Sequence, residues 1–351
     1  LRPARRMIAA LVEKKRMLLF NCGDHSSKSA KIFQGGRFYM KDITAVGEIL
    51  IDMTQTGLSE AGVPLFAANP GGAPANVAVA ASRLGASTAF IGKTGRDPFG
   101  AYLRRVLEED FVDCSGMHTG DQPTTMAIVS VDSTGERSFS FVRGADCELS
   151  PDEINESAVC RSKFLHFGSV SLTRGIARSG TIFAARAAHL AGVLVSYDPN
   201  YRPALWRSEA EAAEWMRVPL PLVDVIKLSE EELPLLTGSS DLEEGSRLLA
   251  EQGISLVLVT LGGAGSFCRW QGECFTVPGV SVKVTDTNGA GDAFLGAVLS
   301  RLSRRGERPL EGLTGAELRD ILDFANRAAA LTCARSGAIP AMPLLDELSD
   351  K

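Results

Sequence analysis

The sequence is poor in the residues that build disulfide frameworks and metal centres. Its 351 residues include only seven cysteines and four histidines, and no two cysteines have the Cys-x-x-Cys spacing. An odd, scattered set of cysteines in a chain of this size is typical of reduced thiols, which favours a cytoplasmic location. The histidines also lack the spacing of metal ligands. We therefore expect neither a disulfide-stapled fold nor a zinc site.

Long apolar runs and a positive charge surplus are also missing. No apolar run approaches the length of a membrane-spanning helix. The N-terminus does not resemble a signal peptide, because the charged segment Glu13–Arg16 separates two short apolar pieces. The net charge of −5 argues against a surface devoted to nucleic acid. We therefore expect neither membrane nor nucleic-acid partners.

The first 39 residues differ in charge from the remainder of the chain. They contain nine Lys or Arg residues and two Asp or Glu residues, a surplus of seven positive charges that leaves −12 for the rest. Met40 directly precedes the first predicted strand. Our hypothesis is that residues 1–39 form a basic extension, either flexible or not native to the protein, and that residues 40–351 form the folded domain.

The remainder of the chain alternates between strand and helix patterns. The clearest run is Phe164–Gly168, Ile176–Leu190 and Val193–Asp198, which predicts a parallel sheet with helices on both faces. Two β-rich segments, Thr124–Val131 and Glu136–Val142, interrupt this alternation and predict a hairpin that leaves the main sheet. The class indicated is α/β.

A first strand is predicted over Asp42–Asp52, and its apolar composition predicts burial on both faces. Ligands of open α/β sheets bind beyond the carboxyl ends of strands, so Asp52 is a candidate ligand, although a solvated strand end explains it equally well. Further on, Gly71 and Gly72 precede a helix that opens near Pro74. These glycines offer bare amides to a ligand or act only as a hinge.

A second glycine-rich loop lies late in the chain. Val280–Val284 predicts a strand and Ala293–Leu299 a helix, so Gly289 and Gly291 lie at a strand-to-helix turn. Free amides at a helix N-terminus bind anions such as phosphate. Asp292 is out of place beside a phosphate unless its carboxylate accepts a proton from an attacking hydroxyl. A simple turn followed by an acidic first helical turn is the alternative, and the absent Walker pattern excludes an ordinary P-loop.

These loops resemble the two signatures of the ribokinase-like (PfkB) carbohydrate kinases. Asp286–Asp292 resembles the second signature, DTxGAGD, with Asn288 at the variable position that is more often Thr. Gly71–Ala78, read as GGAPANVA, resembles the first signature and is most similar to the fructokinase branch found in bacteria and plants. Asp198–Arg202 resembles the DPNxR turn of the family. The resemblance runs from about Met40 to the C-terminus.

The resemblance implies a three-layer α/β/α sandwich of the ribokinase type, with a mostly parallel central sheet and a small β lid formed by residues of about 53–70 and 121–146. It also implies transfer of the γ-phosphate of ATP, with Mg²⁺, to a primary hydroxyl of a free sugar, D-fructose first among the candidates. A kinase for 2-keto-3-deoxygluconate, ribose or a nucleoside remains open, as does a sugar sensor without catalysis. Exposed edges of the lid strands could pair in a homodimer.

The resemblance assigns roles to residues of this chain. Catalytic roles fall to Asp292, Gly289, Ala290 and Gly291. Sugar-binding roles fall to Asp52, Gly71, Gly72, Asn76 and Arg143. Nucleotide-binding roles fall to Lys227, Thr260, Gly262, Gly265, Asn326 and Ala329. Glu232 would organise Mg²⁺ through water, although a capping box with Ser229 explains it structurally. Asp286 is a candidate for a monovalent cation such as K⁺, and Asn288 leaves potassium dependence open.

Overall fold

The computed structural model describes residues 41–131 and 137–348. The predicted extension, residues 1–39, and the predicted start at Met40 lie outside the described residues. Within the described ranges no helix combines the length and the apolar character needed to cross a bilayer.

The described part of the chain is built from alternating strands and helices. Its strands are β1 Lys41–Val46, β2 Leu50–Leu58, β3 Pro64–Gly71, β4 Thr88–Gly95, β5 Asp113–Gly120, β6 Met126–Val131, β7 Arg137–Val142, β8 Ser162–Gly168, β9 Leu194–Asp198, β10 Val225–Ser229, β11 Leu256–Thr260, β12 Gly265–Trp270 and β13 Glu273–Pro278. Its helices are α1 Ala73–Arg83, α2 Pro98–Glu109, α3 Glu156–Cys160, α4 Gly175–Ala191, α5 Glu209–Arg217, α6 Leu233–Thr237, α7 Leu242–Ala250, α8 Ala290–Ser303, α9 Gly315–Cys333 and α10 Leu345–Leu348.

Nine strands form the central sheet, in the order β13-β12-β11-β10-β9-β8-β1-β4-β5. The pairs from β11 through β5 are parallel, and only the hairpin of β12 and β13 adds antiparallel pairs at one edge. This hairpin turns at Gln271 and Gly272, which both have positive φ. The predicted mostly parallel sheet is confirmed.

Neighbouring residues of the central strands belong to two different cores. Val225 and Leu256 pack in a cluster with Phe294 of α8, whereas Ile226 and Val257 pack in the cluster on the opposite face. This separation follows from the two-residue period of a strand, which sends successive side chains to opposite faces. Because both faces are covered, the strands are apolar almost throughout. The predicted three-layer α/β/α sandwich is confirmed.

The prediction of one strand over Asp42–Asp52 is wrong. The chain turns at Gly47, whose φ is +150° and whose missing Cβ would lie 2.7 Å from the Pro74 ring. Before the turn β1 pairs with β4 and β8, and after it β2 pairs with β3 and β6 of another sheet. Asp52 therefore belongs to the second sheet and does not end a strand of the central one.

The second sheet is small and has the order β3-β2-β6-β7. It confirms the predicted lid sheet, although its first strand begins at Leu50, before the predicted boundary near residue 53. Residues 132–136, between β6 and β7, lie outside the described ranges. We refer to this four-stranded sheet as the lid.

The strand predicted at Val280–Val284 is not present, so that prediction is also wrong. The segment has no strand pairing, and Val284 is 59% exposed. Instead, the amides of Thr285 and Asp286 donate to the carbonyl oxygen of Cys333 at the end of α9, at 2.8 and 3.2 Å. A run of β-branched residues forms a strand only where a partner strand is available to it. Here the backbone amides form hydrogen bonds with the end of a helix instead.

The N-cap of α2 yields a stability prediction. Asp97 caps the helix by accepting from the Gly100 amide at 2.8 Å, and it also accepts from the amide and hydroxyl of Thr124 at 2.7 Å each. We expect Asp97→Ala to lower the free energy of unfolding by about 1–3 kcal/mol in urea, since the capping hydrogen bond and the two hydrogen bonds from Thr124 are lost. Asp97→Asn keeps one acceptor and should lose less. Equal stability of Asp97→Ala and wild type would contradict the assignment.

Candidate active site

Asp292 lies in the first turn of α8, directly after the predicted anion loop. Gly289 is the N-cap residue, with φ +77°, and the helix begins at Ala290. A Cβ on Gly289 would lie 3.0 Å from Ala338, so backbone angle and packing both favour glycine here. The amides of Gly291 and Asp292 belong to the group that has no acceptor within a helix. The loop thus presents amides and a carboxylate side by side.

Two asparagine amides hold the Asp292 carboxylate. Asn76 of α1 donates to Oδ2 at 2.8 Å, and Asn200 donates to Oδ1 at 3.3 Å. Asn200 has φ +45°, a conformation that asparagine tolerates well. Burial, together with the negative charge of Asp198, raises the pKa of Asp292 to about 6. The carboxylate is therefore ionised at neutral pH and is a stronger base than an ordinary aspartate.

A buried lysine lies directly beneath the glycine loop. Lys227 Nζ is 2.9 Å from Asp198 Oδ2, and a Cβ on Gly291 would come within 2.7 Å of the same nitrogen. Burial opposes the charge of this lysine, but Asp198, Glu232 and Asp292 outweigh burial and raise the Lys227 pKa. The ammonium group is thus a fixed positive charge against the backbone of the loop. Its predicted role as a nucleotide contact stays a prediction.

Glu232 forms half of the predicted capping box. Its carboxylate accepts from the Ser229 amide at 2.8 Å and from the Tyr201 amide at 2.5 Å, but Glu232 itself precedes the first residue of α6. The box with Ser229 as N-cap is therefore wrong, because the helix begins later. Burial, together with Asp198, raises the Glu232 pKa.

The donor set around Glu232 fits a magnesium ion held through water. No group of three or more His, Cys, Asp or Glu side chains among the described residues could enclose a metal. Both Glu232 oxygens already accept backbone amides, so the carboxylate is oriented but not free to chelate. Mg²⁺ keeps several waters and binds mainly to substrate phosphates, which suits one oriented carboxylate better than a protein cage.

Among the predicted sugar-binding residues of the first loop, Gly71 lies against Asp52, whereas Gly72 lies against Glu48. A Cβ on Gly71 would lie 2.3 Å from Asp52 Oδ2, so only glycine permits this approach. Gly72 has φ +112°, and a Cβ on this residue would lie 2.7 Å from the Glu48 carbonyl oxygen. Asn288 Nδ2 lies 3.4 Å from Asp52 Oδ2 and joins the lid to the anion loop. Burial raises the Asp52 pKa to about 6.

Arg143 turns inward from the end of β7. Its side chain is 5% exposed, pairs with Asp146 at 2.6 Å and donates to the Thr173 hydroxyl at 2.9 Å. The short segment that follows β7 thus supplies the acid that orients the arginine. The sequence patterns do not identify Asp146 as this partner, although its spacing of three residues from Arg143 is visible in the sequence.

Glu48 is a buried acid that the sequence reasoning also missed. One of its oxygens accepts from the Ala73 amide at the start of α1, at 3.1 Å, and the other has no hydrogen-bond partner among the described residues. Burial raises its pKa to about 8. An acid inside an apolar run is unusual enough to have been a signal, because glutamate is rarely buried without a partner.

The remaining predicted nucleotide residues lie at the end of β11, at the start of β12 and on α9: Thr260, Gly262, Gly265, Asn326 and Ala329. Two of them meet at one backbone position. A Cβ on Gly265 would lie 2.2 Å from the Val277 carbonyl oxygen, and Asn326 Nδ2 donates to that oxygen at 3.2 Å. These contacts explain Gly265 and Asn326 structurally, and their nucleotide roles stay predictions.

Asp286 links the anion loop to the turn after α9. Its carboxylate accepts from the Asn288 amide and from the Gly337 amide, each at 3.1 Å. The turn at Gly337 therefore lies against the anion loop. The monovalent cation assigned to Asp286 stays a prediction.

Comparison with known proteins identifies the family of this site. Residues 40–345 match the model of the pfkB family of carbohydrate kinases. The chain belongs to this family. The chain is 42% identical over 315 residues to probable fructokinase-4 of Arabidopsis thaliana, covering 87% of this chain and 95% of that protein.

Solved structures resemble this pfkB-family kinase over most of its length. The fructokinase of Xylella fastidiosa with bound ATP has a TM-score of 0.82 and 34% identity, covering 88% of this chain and 97% of that one. The fructokinase of Vibrio cholerae O395 in its fructose, ADP and calcium form has a TM-score of 0.78 and 36% identity, covering 88% and 98%. The ribokinase-like fold is confirmed.

The contact between Gly291 and Lys227 gives a test of the site. We expect Gly291→Ala to push the ammonium group away from Asp198 and to lower kcat of this pfkB-family kinase about 10²-fold, since misplacement by about 1 Å has that effect. Gly315→Ala is the matched control, because it also lies in a first helical turn but its Cβ would meet nothing closer than 3.5 Å. Unchanged kcat in Gly291→Ala would show that the lysine position is irrelevant.

Proposed function

We propose that this pfkB-family kinase transfers the γ-phosphate of ATP to the primary hydroxyl of D-fructose, giving fructose 6-phosphate. One observation carries the proposal: the buried Asp292 carboxylate, with a pKa of about 6, lies beside first-turn amides of α8. A base and an anion site in such proximity suit the transfer of a phosphoryl group to a hydroxyl. The fructokinases among its relatives support fructose as the acceptor.

Asp292 is the general base of the proposed reaction. The amides of Asn76 and Asn200 fix the direction of its carboxylate, so one oxygen lone pair is available to the attacking hydroxyl. A positioned base contributes about 10²–10⁴ to the rate. Its raised pKa makes it ionised near pH 7 and still able to take the proton as the hydroxyl attacks.

The positive end of α8 receives the charge of the transferred group. The donors are the backbone amides of the loop itself, those of Gly289, Ala290, Gly291 and Asp292. The Ala290 amide also donates to the Thr287 carbonyl oxygen at 3.3 Å. The fixed ammonium group of Lys227 lies behind the loop and adds positive potential. One well-aimed donor of this kind is worth about 10²–10³ in rate. Phosphoryl transfer depends mainly on such positioning and electrostatics.

Mg²⁺ and ATP complete the proposed site. When bound, Mg²⁺ neutralises charge on the phosphates. Glu232 would orient a water of that ion, and Asp286 is the proposed carboxylate for a monovalent cation. The proposed nucleotide surface includes Thr260, Gly262, Gly265, Asn326 and Ala329.

The acceptor sugar is proposed to bind between the lid and α1. Asp52 accepts hydrogen bonds from sugar hydroxyls, Gly71 and Gly72 allow close approach, and Arg143 faces inward beneath the lid. A lid that closes over the sugar excludes water, which otherwise competes as the acceptor.

We also propose that the lid mediates a homodimer. Its outer strand β3 exposes Leu65 (47%) and Phe66 (38%), and Leu58, at the end of the neighbouring strand β2, is 63% exposed. Unpaired strand edges carrying apolar groups favour association.

Removing the base should separate folding from turnover. We expect Asp292→Asn to keep the fold and ATP binding and to lower kcat about 10²–10⁴-fold. Asp320→Asn, at an exposed position of α9, is the control and should be unaffected. Turnover of Asp292→Asn at the wild-type rate would remove the proposed role.

The raised pKa also predicts the acid limb of the pH profile. The base must be ionised, so kcat/KM should fall as the pH drops through about 6, well above the range of an ordinary aspartate. Rates measured with fructose between about pH 5 and pH 8 test this. A profile that stays flat down to about pH 5 would contradict the assigned base.

A coupled ATP assay across fructose, ribose, 2-keto-3-deoxygluconate and a nucleoside tests the acceptor. We expect the highest kcat/KM with fructose. A higher value with another compound would replace fructose, and sugar binding without ATP turnover would overturn the kinase proposal.

The dimer proposal is tested by light scattering after size-exclusion chromatography. We expect wild type to be a dimer and Phe66→Glu to be a monomer, because a charge at an apolar contact must be desolvated. Phe111→Glu is the control, since Phe111 is 88% exposed at the end of α2. A monomeric wild type would refute the proposal.

A further inference from the structure

A cavity of about 500 Å³ opens beside the N-terminus of α4 and the start of α5. None of the residues lining it carries a predicted role in sugar or nucleotide binding. Its polar wall contains Arg174, Arg178 and Arg207, opposed by Glu211, and its apolar wall contains Trp206 and Trp215. Three arginines against one acid make the cavity electropositive.

Arg178 is held in a fixed position at the back of the cavity. It donates to the carbonyl oxygens of Leu172 and Thr173 at 2.6 and 3.1 Å, and its guanidinium carbon lies 3.5 Å from the centre of the Trp215 ring. A cation stacked on tryptophan is well ordered without an acidic partner.

Arg174 and Arg207 have no such partners. Their guanidinium groups donate no hydrogen bond to any residue within the described ranges, and the nearby Glu211 accepts from the backbone amide of Arg207 at 3.0 Å. Elsewhere on the surface an arginine such as Arg247 pairs with acids on its own helix. Both arginines are exposed and line the same cavity, so their guanidinium groups are available as donors to an anion.

The adjoining helix end adds to this potential. Arg174 is the N-cap residue of α4, its side chain makes no capping hydrogen bond, and the first turn has no acidic residue. By contrast, Asp, Ser or Thr side chains cap α2, α5, α7 and α9. The first amides of α4, beside the cavity, therefore have no acidic side chain of their own helix as a partner.

We propose that this cavity binds a small sugar phosphate. The planar forks of arginine match the geometry of a phosphate group. The cavity volume lies in the range of small-molecule sites and is larger than an inorganic ion requires. The apolar wall of Leu205 and Trp206 suits the face of a sugar ring. The inference goes beyond the proposed phosphoryl transfer and does not depend on it.

The cavity is separate from the transfer site but adjoins it. Thr173 lines the cavity, and its hydroxyl accepts from Arg143 at 2.9 Å. Asp292 and the glycine loop are not part of the lining. A ligand in the cavity must therefore be distinguished from one in the transfer site by experiment.

Calorimetry and tryptophan fluorescence with glucose 6-phosphate as the probe test the proposal. Two of the three tryptophans line the cavity, and the third, Trp270, is buried. The full chain is titrated without ATP, and again with saturating ADP and fructose to occupy the transfer site. We expect saturable binding in both cases, at least about tenfold tighter than for orthophosphate, since the ring adds contacts to the apolar wall.

The double variant Arg174→Ala/Arg207→Ala should bind glucose 6-phosphate at least about tenfold more weakly, while Arg247→Ala binds it like wild type. Retained kinase rate and unchanged circular dichroism verify that the double variant is folded. The proposal fails if no saturable binding occurs up to about 10 mM, if the double variant binds equally well, or if ADP and fructose displace the probe. Because binding is measured without turnover, these outcomes are independent of whether fructose is the acceptor.

Discussion

A single buried ammonium group, that of Lys227, faces three carboxyl groups beneath the glycine loop. Asp198 pairs with it directly, and Glu232 and Asp292 lie within its field. Burying charges costs several kcal/mol each unless they are paired and hydrogen-bonded. Here asparagine and backbone amides complete the bonding of the carboxylates. Burial raises the pKa values of Asp292 and Glu232, and the negative charge of Asp198 raises them further because one ammonium group does not neutralise three acids.

The surplus of negative charge around Lys227 strengthens the carboxylates as bases but is unfavourable for the stability of the folded protein. A carboxylate with a raised pKa is a better base, but its ionisation in the folded protein at neutral pH is less favourable than in water. Active sites commonly retain such unfavourable groups because function requires them. The rest of the site compensates through rigid elements: Asn76 is on a buried helix, and Asp292 is in the first turn of another.

Missing side chains are as important to the site as the charged ones. At Gly71 and Gly291 a Cβ would collide with Asp52 and Lys227, respectively. Each glycine lets a charged group of one element approach the backbone of another. The first of these contacts lies within the lid, and the second lies between α8 and β10 of the central sheet. The Asn288 side chain links the anion loop to the lid by donating to Asp52.

Several features could be predicted from the sequence because their causes are local. The alternation of strands and helices, the Asp97 cap and the hairpin at Gln271 follow from residues close together in the chain. The two glycine-rich signatures are also local, so their resemblance to the pfkB kinases predicted both the family and the fold.

Other features depend on residues that are far apart in sequence. The glycine at the break, Gly47, lies against the ring of Pro74, and the segment before the anion loop bonds the carbonyl of Cys333 instead of a strand. The partners of Asp292 lie 216 and 92 residues away. The cavity lined by Arg174, Arg178 and Arg207 is formed by two helices and the turn before α5. The sequence by itself indicated which residues are candidates for the chemistry, because these residues lie in local motifs. Only the tertiary structure decided what surrounds them, because pKa values and close contacts depend on the burial and charge of neighbours that the chain brings together on folding.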